Sequence, residues 1–326
     1  NLTDRLTHTT RVLSLVGITG IGKTSLAQQL LTDRNLQMVF PNPITISFNS
    51  ESPSFDIVIH ALLGQQKYDA KSQSEQTMIR DRALIQALIT KLQSKPYLLI
   101  FDMLETCLTA DEQGQHRFKE PIFEQFFSQF LQAESMASRI IVTSQDQLPV
   151  LAEGRYEERI HQELLTGLTS SEAIALFQQW QIEAATLTEA DCLQRIITVY
   201  EGHPLALQVI AGEMSDAPFC GEILAYWAEH GHEIETIEAI KADPQLDART
   251  DQPRLDRYTV RLKDLVKQRV EKHFNGSMKR IPLLGYCSVK MLYPGFPLSV
   301  KLGCFRFVSF PQKPKRWPLN CCSDDF

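Results

Sequence analysis

Gly17-Ile-Thr-Gly-Ile-Gly-Lys-Thr-Ser25 decides the fold, because three closely spaced glycines join a short apolar run to a helical pattern. The stretch fits the pattern G-x-x-x-x-G-K-[ST] of a phosphate-binding loop. Gly17 and Gly22 permit backbone conformations closed to residues with a Cβ, so that successive N–H groups turn inward around phosphate oxygens. In this pattern Lys23 reaches the β- and γ-phosphates, and the Thr24 hydroxyl coordinates Mg²⁺. The helix that begins here directs the positive end of its dipole at the same anion.

The flanking sequence supplies the strand and the helix that such a loop requires. Residues 11–16 form a short, mostly apolar run that ends at the first glycine. Residues 25–31 place apolar side chains on one helical face. The alternative is an ordinary glycine-rich turn with a surface lysine, and the context favours the phosphate-binding loop.

A second stretch, Tyr97-Leu-Leu-Ile-Phe-Asp102, predicts a buried strand with a carboxylate at its end. Ligands of an open parallel sheet bind at the carboxyl ends of its strands, so Asp102 fits a residue that holds Mg²⁺ beside Thr24. The alternative is an aspartate that caps the following turn. The β-α-β-α-β spacing brings both stretches to one edge of the sheet and favours the magnesium role.

The residues after Asp102 bear on hydrolysis. Met103 follows directly, where hydrolytic enzymes of this build often have a second acid that orients the attacking water. Glu105 is the remaining candidate for a catalytic acid, but it also fits a cap of a helix that begins near Cys107, and we favour the cap. We therefore expect any hydrolysis to be slow.

Other segments complete a coarse outline of the chain. Residues 138–145 form another apolar run that ends in polar side chains, so Thr143 and Ser144 could sense a γ-phosphate by hydrogen bonding. The phenylalanine-rich segment 118–131 predicts a helix packed on the sheet rather than an aromatic cofactor site. Further segments predict a strand over 41–48, helices over 54–63, 75–92, 170–180 and 191–200, and a loop over 68–74. Strands are expected to stop near residue 153, and the turn at 202–204 leads into another helix.

The order of these motifs resembles the NB-ARC domain of STAND-class P-loop ATPases. The resemblance covers about residues 11–275 and rests on the loop, on 98–102 and 138–144, on Leu165-Thr-Gly-Leu168 and on Gly202-His-Pro-Leu-Ala-Leu207. It implies an α/β fold, a P-loop NTPase with a parallel sheet sandwiched by helices, then a small helical domain and an incomplete winged-helix-like segment. The expected boundaries are 1–10 for a linker or upstream remnant, 11–155 for the nucleotide-binding domain, 156–245 for the helical domain and 246–326 for the winged-helix-like part.

The resemblance also assigns roles to residues. Pro204 would lie against the adenine, which gives the turn at 202–204 a function beyond topology. The expected nucleotide-binding residues are Gly17, Gly20, Gly22, Lys23, Thr24, Ser25, Thr143, Ser144 and Pro204. The expected catalytic residues are Lys23, Asp102 and Glu105, and the expected magnesium ligands are Thr24 and Asp102.

The resemblance further implies a switch that is closed with ADP and opens with ATP. Two departures weaken hydrolysis and γ-phosphate sensing more than ADP binding: Met103 replaces an acid, and Gln145 replaces an arginine that contacts the γ-phosphate. The leading hypothesis is an ATP/ADP-binding regulatory switch with at most slow hydrolysis. The alternatives are a fast P-loop ATPase motor or small-molecule kinase and a nucleotide-independent scaffold. Protein partners would act through domains outside the chain, and the resemblance is also compatible with a homo-oligomer that depends on nucleotide.

Composition narrows the class of protein. A net charge of -6 over 326 residues argues against a generally basic nucleic-acid surface. Seven cysteines without paired C-x-x-C spacing indicate reduced thiols and a cytoplasmic location. The most apolar long stretch, 281–310, carries charges, prolines and glycines, so it predicts no bilayer span. The first residue is Asn1 rather than Met, and we expect a fragment that lacks an upstream base-contacting segment.

The carboxyl-terminal part follows the resemblance least well. Residues 258–274 predict an amphipathic helix that would open the winged-helix-like domain. Residues 281–326 show no stable period, and we expect a tail that is truncated or out of register with the family.

Overall fold

The computed structural model describes residues 2–50, 53–64, 75–110, 116–148 and 156–242. All of them belong to one unit of the chain. The loop predicted over 68–74 and everything predicted beyond 246 lie outside the described residues. Within the described ranges, no helix combines the length and apolarity needed to cross a bilayer.

A parallel sheet of five strands forms the centre of the nucleotide-binding part, and two further strands form a small antiparallel pair. The strands are β1 (Val12–Val16), β2 (Asn42–Ser47), β3 (Tyr97–Asp102), β4 (Leu108–Ala110), β5 (His116–Phe118), β6 (Arg139–Ser144) and β7 (Ile160–Leu164). The order in the parallel sheet is β2-β3-β6-β1-β7, and β4 pairs with β5.

Helices cover the sheet and then form a helical part of their own. They are α1 (Leu2–His8), α2 (Lys23–Leu31), α3 (Arg34–Val39), α4 (Asp56–Leu63), α5 (Glu75–Ser94), α6 (Pro121–Gln132), α7 (Ser170–Gln179), α8 (Leu187–Val199), α9 (Pro204–Ser215) and α10 (Ile223–Ala242). Short 3₁₀ turns occur at Leu104–Cys107 and Glu157–Arg159. We call the part from residue 165 to 242 the helical subdomain.

The central strands are apolar on both faces because helices cover both. Leu99 and Phe101 of β3 pack in one cluster with α4, α5 and α6, whereas Leu98 and Ile100 pack in another with α1, α2 and α3. Alternate side chains of a strand point to opposite faces, so a strand that is buried on both sides reads as a continuous apolar run. The predicted α/β sandwich is confirmed.

The phenylalanines of α6 form the core of one face, as predicted. Phe123, Phe126, Phe127 and Phe130 are buried, and the rings of Phe101 and Phe126 stack with centroids 6.2 Å apart. The predicted start of the helix was too early, because Phe118 belongs to β5 and α6 begins at Pro121.

Residues 2–8 are not the linker that the polar sequence suggested. They form α1, whose Leu6 is 0% exposed within the cluster under α2 and α3. Thr3 Oγ1 donates to Asp33 Oδ2 at 3.2 Å, which ties α1 to the start of α3. Only Leu2 and Leu6 mark the buried face, and two apolar residues are too few to reveal a helix by their spacing.

The predicted boundary at residue 155 was also too early. The strand β7 lies at the edge of the sheet and pairs in parallel with β1, from Val12 opposite Ile160 to Val16 opposite Leu164. The sequence Ile-His-Gln-Glu-Leu is polar in its middle, because an edge strand is exposed more than a central one. The nucleotide-binding part therefore extends to Leu164.

The helical subdomain is built from α7 to α10 around its own core. Capping boxes start α7 and α8: Thr169 with Glu172, and Thr186 with Glu189. The second box explains why α8 begins at Leu187, before the predicted start at 191, because Thr186 accepts from the Glu189 N–H and fixes the first turn.

Candidate functional site

The predicted site residues meet at the carboxyl edge of the sheet. β1 ends at Val16 and leads through the loop 17–22 into α2, while β3 ends at Asp102. The end of β6 lies between these two strands, because β6 is their common neighbour in the sheet. The strand order thus brings the loop, Asp102 and Thr143 together.

The loop 17–22 uses its glycines in different ways. Gly20 and Gly22 have φ values of 81° and 104°, which L side chains rarely adopt. A Cβ on Gly22 would meet no atom within 4 Å, so open space lies beside the start of α2. A Cβ on Gly20 would instead come within 2.7 Å of Leu205 Cδ2 and 2.9 Å of His203 Cε1. One side of the loop faces open space, and the helical subdomain covers another.

Lys23 holds its ammonium group against the loop. Its Nζ donates to the carbonyl oxygens of Gly17 at 2.7 Å and Ile18 at 3.0 Å. Ser25 lies in the first turn of α2 and is exposed. The loop therefore places a positive charge and the amino end of a helix beside the same open space, as anion binding requires.

Asp102 accepts hydrogen bonds from the two threonines of the predicted site. Thr24 Oγ1 and Thr143 Oγ1 each donate to Asp102 Oδ1 at 2.7 Å, and Asp102 is 9% exposed. Thr143 Oγ1 also accepts from the Met103 N–H at 2.9 Å. A carboxylate beside a hydroxyl is an all-oxygen donor set, which suits a hard cation such as Mg²⁺. The residues fit the ion, with Asp102 and Thr24 as the groups that would hold it.

Ser144 lies apart from this network. It is fully buried, its carbonyl accepts from the Gly17 N–H at 3.3 Å, and its Oγ accepts from the Asp146 N–H at 3.1 Å. Its contacts support the loop rather than face the open space.

Glu105 contacts Gln145 and does not cap a helix. The 3₁₀ turn begins after Met103, whose φ is 64°, and no side chain caps it. Gln145 Nε2 donates to Glu105 Oε1 at 3.1 Å, while Glu105 Oε2 is buried without a hydrogen-bond partner among the described residues. The predicted cap is wrong, because the turn is too short to present Glu105 to its own N–H groups. Gln145 stands where the family commonly has an arginine, and here it holds a carboxylate.

His203 is the residue that sequence reasoning missed. It is 0% exposed, its Nε2 lies 3.0 Å from the Thr19 carbonyl oxygen, and its Nδ1 lies 3.3 Å from the Ala206 nitrogen. Pro204 follows as the first residue of α9 and is half-buried. The histidine lies in the recognised Gly-His-Pro turn, but the sequence pattern does not indicate whether its ring is buried or exposed.

Burial lowers the pKa of the His203 ring from its ordinary 6.5 to about 4, and the nearby Lys23 charge lowers it further. The unfolded chain then takes up a proton on this ring between about pH 6.5 and pH 4, whereas the folded chain does not. We expect the free energy of unfolding to fall as pH decreases through this window. Urea unfolding at several pH values measures it.

The variant His203→Asn is the control for this pH dependence. It removes the titrating ring and keeps every other histidine, so its free energy of unfolding should depend less on pH in the same window. Equal slopes for the variant and the wild-type protein would show that His203 is not the group responsible.

Comparison with known proteins adds to this geometry. The NB-ARC domain family matches residues 1–116. An uncharacterized WD repeat-containing protein, alr2800 of Nostoc sp. (strain PCC 7120), is 29% identical over 217 residues, which cover 63% of this chain and 16% of the relative. The chain thus spans only a small part of that relative's length.

Two solved structures illustrate the likeness of the fold. The Walker-type ATPase paby2304 of Pyrococcus abyssi has 15% identity and a TM-score of 0.42, covering 83% of this chain and 87% of that chain. The FIGL-1 AAA domain in complex with ADP has 14% identity and a TM-score of 0.35, covering 69% of this chain and 64% of that chain.

The family match agrees with the resemblance drawn from the motif order, and the parallel sheet and the loop geometry agree with the fold that it implies. Residues 1–116 match the NB-ARC domain family, and the chain has the α/β fold of a nucleotide-binding P-loop NTPase.

Proposed function

We propose that the chain is a regulatory switch that binds ADP and ATP with Mg²⁺ and hydrolyses ATP at most slowly. One observation carries this proposal: the phosphate-binding loop packs against the core of the helical subdomain through Ile18. Leu205 of α9 lies against Gly20, where an added Cβ would meet it at 2.7 Å. A change in the loop on nucleotide exchange is therefore transmitted to α9 by direct contact.

Within this proposal each residue of the edge has a role. The backbone of Gly17, Gly20 and Gly22 shapes the cradle, and Lys23 neutralises the β- and γ-phosphates. Thr24 and Asp102 hold Mg²⁺, which when bound neutralises phosphate charge. Thr143 fixes the Asp102 carboxylate by its hydrogen bond of 2.7 Å. Ser25 and Pro204 complete the nucleotide-binding set, and Ser144 supports the loop through its contact with Gly17.

Slow hydrolysis is supported by the residues beside Asp102. Met103 offers no carboxylate, and Glu105 is held through Oε1 by Gln145 at 3.1 Å. A general base must hydrogen-bond the attacking water, and Glu105 would have to leave this contact or use its buried Oε2. We keep Glu105 as the candidate catalytic carboxylate of a slow reaction.

The setting of the switch is part of the same proposal. Cys107 and Cys192 are free, buried thiols, which supports a reducing compartment such as the cytoplasm. Protein partners would bind outside this chain, and WD repeats, named for the curated relative, are one such module. Self-association would depend on the bound nucleotide.

The switch is tested by amide hydrogen exchange of the chain with Mg-ADP and with a non-hydrolysable ATP analogue. We expect exchange in residues 165–215 to be about fivefold or more slower with ADP, the lower end of typical allosteric coupling. The reason is that the closed state keeps the contacts of Ile18 and Leu205 with the loop. The residue range 78–94 of α5 is the internal control, because it lies away from these contacts.

Two outcomes would contradict the proposal. Equal amide exchange rates with both nucleotides would mean that the chain is not a switch and only binds nucleotide. Turnover well above about one per second would favour the alternative, an ATPase motor or a small-molecule kinase.

A further inference from the structure

His203 connects the two parts of the molecule with both of its ring nitrogens. Toward the nucleotide-binding part, Nε2 lies 3.0 Å from the carbonyl oxygen of Thr19, which is 184 positions earlier in the chain. Toward its own helix, Nδ1 accepts from the Ala206 N–H at 3.3 Å and so caps the amino end of α9. The ring is 0% exposed.

These two contacts define the tautomer of the ring. Because Nδ1 accepts a hydrogen bond from a backbone N–H, the neutral ring carries its own proton on Nε2, which donates to the Thr19 carbonyl. The cap on α9 fixes the plane of the ring, and the fixed plane directs Nε2 at the loop. The amino end of α9 thus holds the Nε2 donor of His203 against the Thr19 carbonyl of the loop.

The Thr19 carbonyl belongs to the same peptide group as the Gly20 N–H. In a planar trans peptide the C=O and N–H bonds point in opposite directions, so a donor that fixes one also fixes the other. The Gly20 N–H is therefore directed away from His203. Among the described residues, this N–H makes no hydrogen bond.

The neighbouring side chains leave little freedom for this peptide group. Gly20 adopts a φ of 81°, and its Cα approaches both Leu205 and the His203 ring so closely that an added Cβ would overlap them. The two preceding carbonyls, of Gly17 and Ile18, accept from Lys23 Nζ. Lys23 therefore orders the first part of the loop, and His203 orders the next peptide group.

We propose that His203 is a positioning residue of the phosphate-binding loop: from the helical subdomain it orients the Thr19–Gly20 peptide so that the Gly20 N–H is available to a phosphate oxygen. This inference rests on the proposed nucleotide-binding role of the loop. It also assigns the coupling between the nucleotide-binding part and the helical subdomain to one hydrogen bond, that of His203 to the Thr19 carbonyl. By linkage, a phosphate that prefers the oriented loop strengthens the contact of His203 with Thr19 to the same degree.

Two substitutions separate the two hydrogen bonds of the ring. The side-chain oxygen of Asn lies at about the distance of Nδ1 from the backbone, so His203→Asn keeps the cap of α9 but does not reach Thr19. The amide nitrogen of Gln extends about as far as Nε2, so His203→Gln keeps the donor to Thr19 but not the cap. We expect His203→Asn to weaken Mg-ADP binding about three- to tenfold, the range for one lost hydrogen bond, and His203→Gln to bind within about twofold of wild type.

Isothermal titration with Mg-ADP measures these affinities, and urea unfolding reports the cap. We expect His203→Gln to be the less stable variant and His203→Asn to be the weaker binder. The amide signal of Gly20 in the nucleotide-free protein should shift in His203→Asn and stay near its wild-type position in His203→Gln. A merely structural histidine would make the less stable variant also the weaker binder, and that result would overturn the proposal.

Lys23→Ala, measured in parallel, separates this inference from the proposed function. If the wild-type protein does not bind Mg-ADP, the proposed function fails, and the Gly20 amide signal alone decides the role of His203. If the wild-type protein binds and Lys23→Ala does not, while His203→Asn binds within twofold of wild type, the proposed function stands and the inference is wrong.

Discussion

Lys23→Ala is expected to lower the affinity for Mg-ADP on the order of 100-fold, since hydrogen bonds to charged groups contribute about 1.5–3 kcal/mol each. The Nζ atom of Lys23 lies 2.7 Å from the Gly17 carbonyl and 3.0 Å from the Ile18 carbonyl. The variant removes the charge that would meet the phosphates and the donor that orders the start of the loop. Switching should then be lost because the site stays empty, more than because turnover falls. Isothermal titration with Mg-ADP measures the effect.

Lys95→Ala is the matched control for this prediction. Lys95 is exposed and precedes β3, so it lies at the sheet edge opposite the site. Its removal changes the net charge by the same amount, so it reveals any general electrostatic effect on the binding of an anion. If both variants bind Mg-ADP as tightly as the wild-type protein, the loop is not a phosphate site.

The sequence predicts the parts of this fold that are buried on both sides. The strands β1, β3 and β6 are nearly continuous apolar runs, because helices cover both of their faces. The strand β7 and the helix α1 escaped prediction for the converse reason. An edge strand and a short surface helix bury so few side chains that composition and periodicity carry almost no signal.

The site divides in the same way between local and distant contacts. The loop 17–25 and Asp102 were recognised because each is a short local pattern, and the parallel strand order brings their ends together. The contact of His203 with Thr19 joins residues 184 positions apart, and that of Gln145 with Glu105 joins residues 40 apart. Such contacts depend on how two packed parts meet, which a single sequence does not specify.

The motif Leu165-Thr-Gly-Leu168 meets the turn at 202–204 backbone to backbone. A Cβ on Gly167 would lie 1.7 Å from the Glu201 carbonyl oxygen, and the Leu168 N–H donates to the Gly202 carbonyl at 2.8 Å. We therefore expect Gly167→Ala to lower the free energy of unfolding by about 3 kcal/mol or more, because backbone cannot move aside as a flexible side chain does. Urea unfolding of the purified chain measures the loss.

Gly212→Ala provides the control for this glycine, since the two substitutions add the same methyl group to the same chain. Gly212 lies within α9, where a Cβ would meet only the Trp180 ring at 3.8 Å, an ordinary contact. This variant should gain about 0.5–1 kcal/mol of stability, because alanine favours a helix over glycine. Opposite signs for the two variants would assign the loss at Gly167 to the close approach of two backbones. A Gly167→Ala protein as stable as the wild type would mean that, within the helical subdomain, residues 165–168 pack against the turn at 202–204 less tightly than this contact requires. The turn that carries His203 to the loop would then lose its rigid support, and so would the proposed transmission from nucleotide to helices.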